Sequence, residues 1–161
     1  MRLKELRHIF PLIGKTEYDN THIDDVMVHS GEPAENSIFF VHESKKMGLY
    51  VEQAFQNGAV IALSDSVINK PGVIYYSRLE QHKNLITKAI YDYPDEKLDI
   101  IGVTGTNGKT SITFMLTEIL RNIGMRCART GTVNVDLCGK TYAGINTFPE
   151  GPRYLKYVAE A

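Results

Sequence analysis

The chain has 161 residues, 43% of them hydrophobic, and its 18 basic and 19 acidic side chains leave a formal net charge of −1. That length suits one ordinary domain or two small ones, and the near-neutral balance without a long basic run argues against a nucleic-acid surface. No stretch approaches the ~18 apolar residues of a membrane span, so a cytoplasmic protein without a membrane role is expected. Cys127 and Cys138 are too few for a disulfide framework and read as reduced packing residues. His8, His22, His29, His42 and His82 show no metal-ligand spacing.

In chain order, Leu3 to Phe10 reads as a short helix, and Asp25 to His29 and Ser37 to Val41 as strands. A helix is expected from about Leu49 to Asn57, with Val51, Ala54 and Phe55 inward and Gly58 at its left-handed cap. Ala59 to Leu63 and Val73 to Tyr76 are further strands. Leu79 to Tyr91 has the period of a helix that turns Leu85, Ile86, Ala89 and Ile90 to a core. Alternation of this kind predicts a small α/β layer domain. Proline and charges at residues 93–97 interrupt the pattern, which places a domain boundary there.

Residues 98–103 then form an apolar run that reads as a buried parallel strand, and residues 110–122 carry a helical period with apolar residues at 112, 115, 116, 119, 120 and 123. Between them lies Thr104-Gly105-Thr106-Asn107-Gly108-Lys109-Thr110-Ser111. Glycines at 105 and 108 allow close approach to phosphate oxygens, and the helix N-terminus supplies N–H groups and positive potential. Lys109 adds a full charge for the β/γ phosphates, and the Thr110 hydroxyl suits Mg²⁺. Strict phosphate-loop spacing wants a glycine where Val103 stands. The competing interpretation is a glycine-rich turn that merely joins strand to helix. The coincidence of strand, loop, Lys-Thr pair and helix favours a nucleotide phosphate cradle.

Beyond that helix, which Gly124 should end, residues 125–130 are expected to return as a parallel strand by one right-handed crossover. Thr132 to Leu137 and Lys140 to Ala143 should form a hairpin about Cys138-Gly139. Pro149 and Pro152 mark a loop before a helical start at Tyr154. A doubly wound domain needs more strands than the residues after position 96 supply, so this part reads as an incomplete domain.

The stretch from Thr104 to Thr110 after Ile100-Ile101-Gly102-Val103 resembles the ATP loop of the Mur ligases, the ATP-dependent amide-bond-forming enzymes of peptidoglycan assembly, valine included. The layout is most similar to those that extend UDP-N-acetylmuramoyl-L-alanyl-D-glutamate. The resemblance implies a uridine-nucleotide domain over residues 1–95 and the start of an ATP-binding domain over 96–161. It further implies ATP and Mg²⁺ as cofactors, with Gly105, Thr106, Asn107, Gly108, Lys109, Thr110 and Ser111 at the nucleotide, Lys109 catalytic and Thr110 at the metal. The muramoyl dipeptide and an amino acid would be the partners of the complete enzyme, joined through an acyl phosphate. Ser30 and Thr147 fall at substrate-contacting positions.

Departures from the family pattern accompany it. His29 and Gly31 replace Asp and Arg around Ser30, Met47 replaces Asp, and Phe148 replaces the second threonine of Asn-Thr-Thr-Pro-Glu. Phe148 cannot make a hydroxyl's hydrogen bonds. Ser30 alternatively caps its own turn, and Lys45 and Lys46 suit either a diphosphate or plain solvation. These losses keep open a diverged, non-catalytic nucleotide- or partner-binding module. The metal ligands and closing domain that the family carries further along are not in this sequence, so the chain is not expected to ligate alone.

Overall fold

A computed structural model describes residues 1–11, 13–42, 44–144 and 149–161. Two compact units divide the chain, Met1–Tyr93 and Pro94–Ala161.

The first unit is built from α1 (Leu3–Ile9), β1 (Asp25–Met27), β2 (Ser37–Val41), α2 (Met47–Gln56), β3 (Ala59–Ser64), β4 (Val73–Tyr75) and α3 (Leu79–Ile90). The strands form one all-parallel sheet in the order β1-β2-β3-β4. Strand side chains alternate between faces, and each face has its own core. Ile38, Phe40, Ile61, Leu63 and Ile74 lie with Leu3 and Leu6 of α1 and Leu79 and Ile86 of α3. Phe39, Val41 and Ala62 meet Val51 and Ala54 of α2. Helix layers thus cover both faces, as a parallel sheet requires. Every residue of β2 is buried, which explains its uninterrupted apolar run. Leu85, expected inward, is 47% exposed. It sits one position from the buried Ile86, about 100° around the helix, and falls outside the stripe that reaches the sheet.

α3 is fastened to β1 by a polar contact. The Tyr91 hydroxyl donates to the Asp25 carboxylate and accepts the Val26 N–H at 3.2 Å. Burial first, and then the Asp25 carboxylate, hold the Tyr91 phenol well above the ordinary tyrosine value. The unfolded chain releases this proton from about pH 10, whereas the native state keeps it. The unfolded state therefore binds fewer protons, and the contribution is complete below about pH 10 and declines as the pH rises further. Tyr91→Phe should cost about 1–3 kcal/mol at pH 8. Urea titrations at pH 8 and pH 11 should also show a shallower alkaline loss for the variant than for the parent; equal losses would mean that Tyr91 contributes nothing to it.

The second unit holds a 3-10 turn (Pro94–Glu96), α4 (Lys109–Asn122), β5 (Arg129–Thr130), β6 (Asn134–Leu137), β7 (Lys140–Ala143) and α5 (Gly151–Glu160). The strands form an antiparallel sheet in the order β5-β6-β7. The hairpin turns at Cys138-Gly139, both with positive φ (52° and 111°), the geometry of a two-residue primed turn. Gly124 ends α4 at φ 85°. α5 begins at Gly151, ahead of the expected Tyr154, with Pro152 in its first turn, where a missing N–H costs nothing. It buries Pro152, Leu155 and Val158 and packs on the 3-10 turn.

Three expectations are corrected in this unit. Residues 98–103 are not a strand, and Ile100 and Ile101 are 51% and 61% exposed. Residues 125–130 give only the short β5, which pairs antiparallel with β6 rather than parallel with the 98–103 run. The apolar face of α4 lies open, with Ile112, Met115, Ile119 and Ile123 at 51–68% exposure. The three share one cause: a parallel strand and its crossover helix are stabilised by flanking strands, and no described residues pair with 98–103. The cysteines also depart from expectation. Both are free thiols, but Cys138 is exposed on the hairpin turn and does not pack.

Candidate nucleotide-phosphate site

The loop between residue 103 and α4 is exposed throughout residues 104–108. Gly105 and Gly108 adopt φ of +149° and +79°, values that side-chain-bearing residues rarely take. Gly108 is the left-handed residue from which α4 starts. An added Cβ at Gly108 would meet only Ile112 Cδ1 at 3.8 Å, and at Gly105 only the Asn107 carbonyl oxygen at 3.5 Å. The glycines are therefore required by backbone conformation and leave the outer side of the loop clear.

No side chain caps the N-terminus of α4, and no acidic residue lies in its first turn. The amides there, at Lys109, Thr110 and Ser111, keep the partial positive charge of a helix start without an internal counter-charge. Lys109 arches back over the loop. Its Nζ donates to the Gly105 carbonyl oxygen at 2.6 Å and reaches that of Thr106 at 3.5 Å. Thr110 is exposed, and its carbonyl accepts the Thr113 hydroxyl at 2.9 Å. Uncapped amides, an ammonium and a free-standing hydroxyl within one turn suit a Mg²⁺-bound polyphosphate. Among the described residues, no group of three His, Cys, Asp or Glu side chains is placed to hold a metal ion.

Ser30 lies in the other unit, just past β1. The His29 carbonyl accepts the Glu32 N–H at 3.0 Å, closing the turn. The Ser30 hydroxyl donates to Gln53 Oε1 at 2.9 Å, and Asn57 Nδ2 donates to the Ser30 carbonyl at 2.7 Å. Gln53 and Asn57 are one helical turn apart on the end of α2, and sequence reasoning missed them. Their polar i, i+4 spacing was the available signal. His29, Lys45 and Lys46 are exposed, and Met47 opens α2. Thr147 and Phe148 lie outside the described residues.

A parallel α/β layer unit followed by a glycine-rich loop at a helix start defines the class: an α/β protein. Comparison with known proteins sharpens this. No family model matches the chain. It is 32% identical over 153 residues to the UDP-N-acetylmuramoyl-L-alanyl-D-glutamate--2,6-diaminopimelate ligase of Alkaliphilus oremlandii, covering 92% of this chain and 31% of the relative. For the ligase of the same name from Fusobacterium nucleatum the identity is 32% over 138 residues, with 83% and 28% covered. That from Solibacter usitatus is 28% identical over 159 residues, with 96% and 31% covered. A solved structure of a ligase of this name superposes with a TM-score of 0.72 at 20% identity, over 99% of this chain and 33% of that one; this likeness concerns the fold. The chain is a homologue of the Mur ligases and spans about a third of the length of the relatives it matches. No helix among the described residues is long and apolar enough to cross a membrane.

Proposed function

We propose that the chain is the uridine-nucleotide domain, residues 1–95, and the start of the ATP-binding domain, residues 96–161, of an ATP-dependent ligase. That ligase extends UDP-N-acetylmuramoyl-L-alanyl-D-glutamate by one amino acid in the cytoplasm. The observation that carries the reading is the uncapped start of α4 behind two positive-φ glycines and Lys109, in a chain similar along its length to ligases of that name. In the reaction a carboxylate oxygen of the dipeptide attacks the γ-phosphorus as the bond to ADP breaks. The amine of the incoming amino acid then displaces phosphate from the acyl carbon and gives up its proton. Gly105, Thr106, Asn107, Gly108 and Ser111 position the phosphates through loop and helix-start amides, Lys109 neutralises charge spread over phosphoryl oxygens, and the Thr110 hydroxyl is the ligand this chain offers Mg²⁺.

Ser30 and Thr147 are proposed contacts of the uridine-nucleotide substrate. Calorimetric titration of the muramoyl dipeptide nucleotide against plain UDP tests the first: binding is expected, weakened about tenfold by Ser30→Ala. Binding of neither ligand would count against a retained uridine site. His29, Gly31 and Met47 favour a second reading, a diverged module that holds a nucleotide without catalysis. Ligation by the full-length polypeptide would exclude it.

A further inference from the structure

The turn after β1 is tied to α2 at three points, through two residues one helical turn apart. Val51 and Ala54 are fully buried, which fixes how α2 lies on the sheet, and Gln53 and Asn57 share the side of the helix that meets this turn. Asn57 Nδ2 donates to the Ser30 carbonyl at 2.7 Å, and the Asn57 carbonyl accepts the Ala34 N–H at 2.9 Å. Backbone from 30 to 34 is thereby held at both ends by one residue. The third tie differs in character: the Ser30 hydroxyl donates to Gln53 Oε1 at 2.9 Å. It joins a half-buried side chain to an exposed one, where water serves either group nearly as well, so it adds little to folding. Its effect is to fix the hydroxyl rotor.

A serine hydroxyl carries one hydrogen and two lone pairs. With the hydrogen committed to Gln53, Ser30 Oγ offers a ligand only its lone pairs. Lone pairs cannot engage the oxygens of a diphosphate, which are themselves acceptors. They can engage an N–H or O–H, and a uridine nucleotide carries those on its nucleoside: the uracil N3–H and the ribose hydroxyls. Nε2 of the same Gln53 amide lies on the Gly31 side, where an added Cβ would stand 3.5 Å from it, so the two ends of the amide face different neighbours. The charged residues that flank this serine in the Mur ligase pattern are replaced by His29 and Gly31, which leaves the two amides of α2 to orient it.

We propose that Gln53 is a positioning residue: by taking the Ser30 proton it presents Ser30 Oγ as an acceptor for a hydrogen-bond donor on the nucleoside of the substrate, and not for its diphosphate. This rests on the uridine-nucleotide reading of residues 1–95 and adds to it the part of the ligand that Ser30 reads.

Calorimetry of the 161-residue chain with UDP tests the two separately. UDP should bind the parent, and Gln53→Ala should weaken it about threefold to tenfold while the urea midpoint stays in place. Gln53→Glu, which keeps an acceptor for the Ser30 hydroxyl, should bind within about twofold of the parent. In a Ser30→Ala background Gln53→Ala should add no further loss, a result that a purely structural role would not give. The N3-methyl and 2′,3′-dideoxy analogues of UDP tell the two donors apart: the analogue lacking the donor that Ser30 reads should bind the parent and Gln53→Ala equally. Absence of UDP binding by the parent would remove the uridine site, and the proposal with it. Binding by the parent that is undiminished in Gln53→Ala, or diminished just as much in the Ser30→Ala background, would overturn the positioning role alone. So would a Gln53→Glu variant as weak as Gln53→Ala, or a Gln53→Ala loss that persists with both analogues.

Discussion

Lys109→Ala in the full-length ligase is expected to lower kcat/KM for ATP by about 10²–10³-fold, the scale on which one preorganised charge-stabilising group acts on a transition state. The reasoning is geometric. The Lys109 ammonium leans over the loop and its contacts are two backbone carbonyls, those of Gly105 and Thr106. A polyphosphate seated on the uncapped amides of α4 offers that ammonium anionic oxygens in place of two neutral carbonyls, adding charge–charge attraction to bonds that the ammonium alone already assists. Lys109→Arg keeps the charge but spreads it over a broad planar fork that the tight loop does not suit, so it should recover only a small part of the loss. Because Lys109 touches no core residue, the urea midpoint of the variant should match the parent. Wild-type ATP turnover by Lys109→Ala would remove the residue from the reaction.

Gly58→Ala should produce a large loss of stability in the first unit, about 2–5 kcal/mol, a large part of the total stability of an ordinary domain. Gly58 sits at φ +102°, between α2 and the buried strand β3. An added Cβ would stand 2.8 Å from the Ala34 carbonyl oxygen and 2.9 Å from the Glu35 Cα. Positive φ costs an L-residue about 1–2 kcal/mol, and forcing backbone apart in a packed region adds about 1–3 kcal/mol. Nothing nearby is free to yield: Ala34 is held by its N–H to the Asn57 carbonyl at 2.9 Å, and the β2–β3 ladder shifts register between Ser37 and Ile38, next to this contact. Gly72→Ala is the informative comparison. Its φ of +78° carries similar strain, but its added Cβ would meet the Phe55 ring at 2.9 Å, and a ring at the edge of the core can turn away. About 1–2 kcal/mol is expected there. Urea titrations of the two variants measure the difference; equal losses would show that backbone crowding at Ala34 adds nothing to the strain.

The first unit was legible because its signals are local. Apolar runs at Ser37–Val41 and Ala59–Ser64 and the helical period of Leu79–Ile90 each report burial against a sheet that the same segments build. Gly58 marks the end of α2 by a conformation that its own backbone requires. Leu85 shows where periodicity stops: it gives the direction of a stripe but not its width. In the second unit the pattern at residues 98–103 and along α4 describes a parallel sheet with covered faces, while the described residues supply only the antiparallel β5-β6-β7. Local pattern records what a segment is suited to pack against, and pairing depends on which strands are present to receive it. The glycine-rich loop ahead of α4 was readable from type and spacing, since its backbone demands glycine at 105 and 108. Ser30's partners were only half legible: the i, i+4 spacing of Gln53 and Asn57 marks a shared polar face, but nothing local ties that face to Ser30 more than twenty positions earlier.

The most direct test of the phosphate-loop account is a ¹H–¹⁵N titration of the 161-residue chain with Mg-ATP at millimolar concentration. The amides of Gly105 to Ser111 should move downfield together on a single saturation curve, as N–H groups do when they close on one anion, and adenosine without phosphates should leave them in place. Stationary amides from 105 to 111 under saturating Mg-ATP, in this chain and in the full-length ligase alike, would contradict the account.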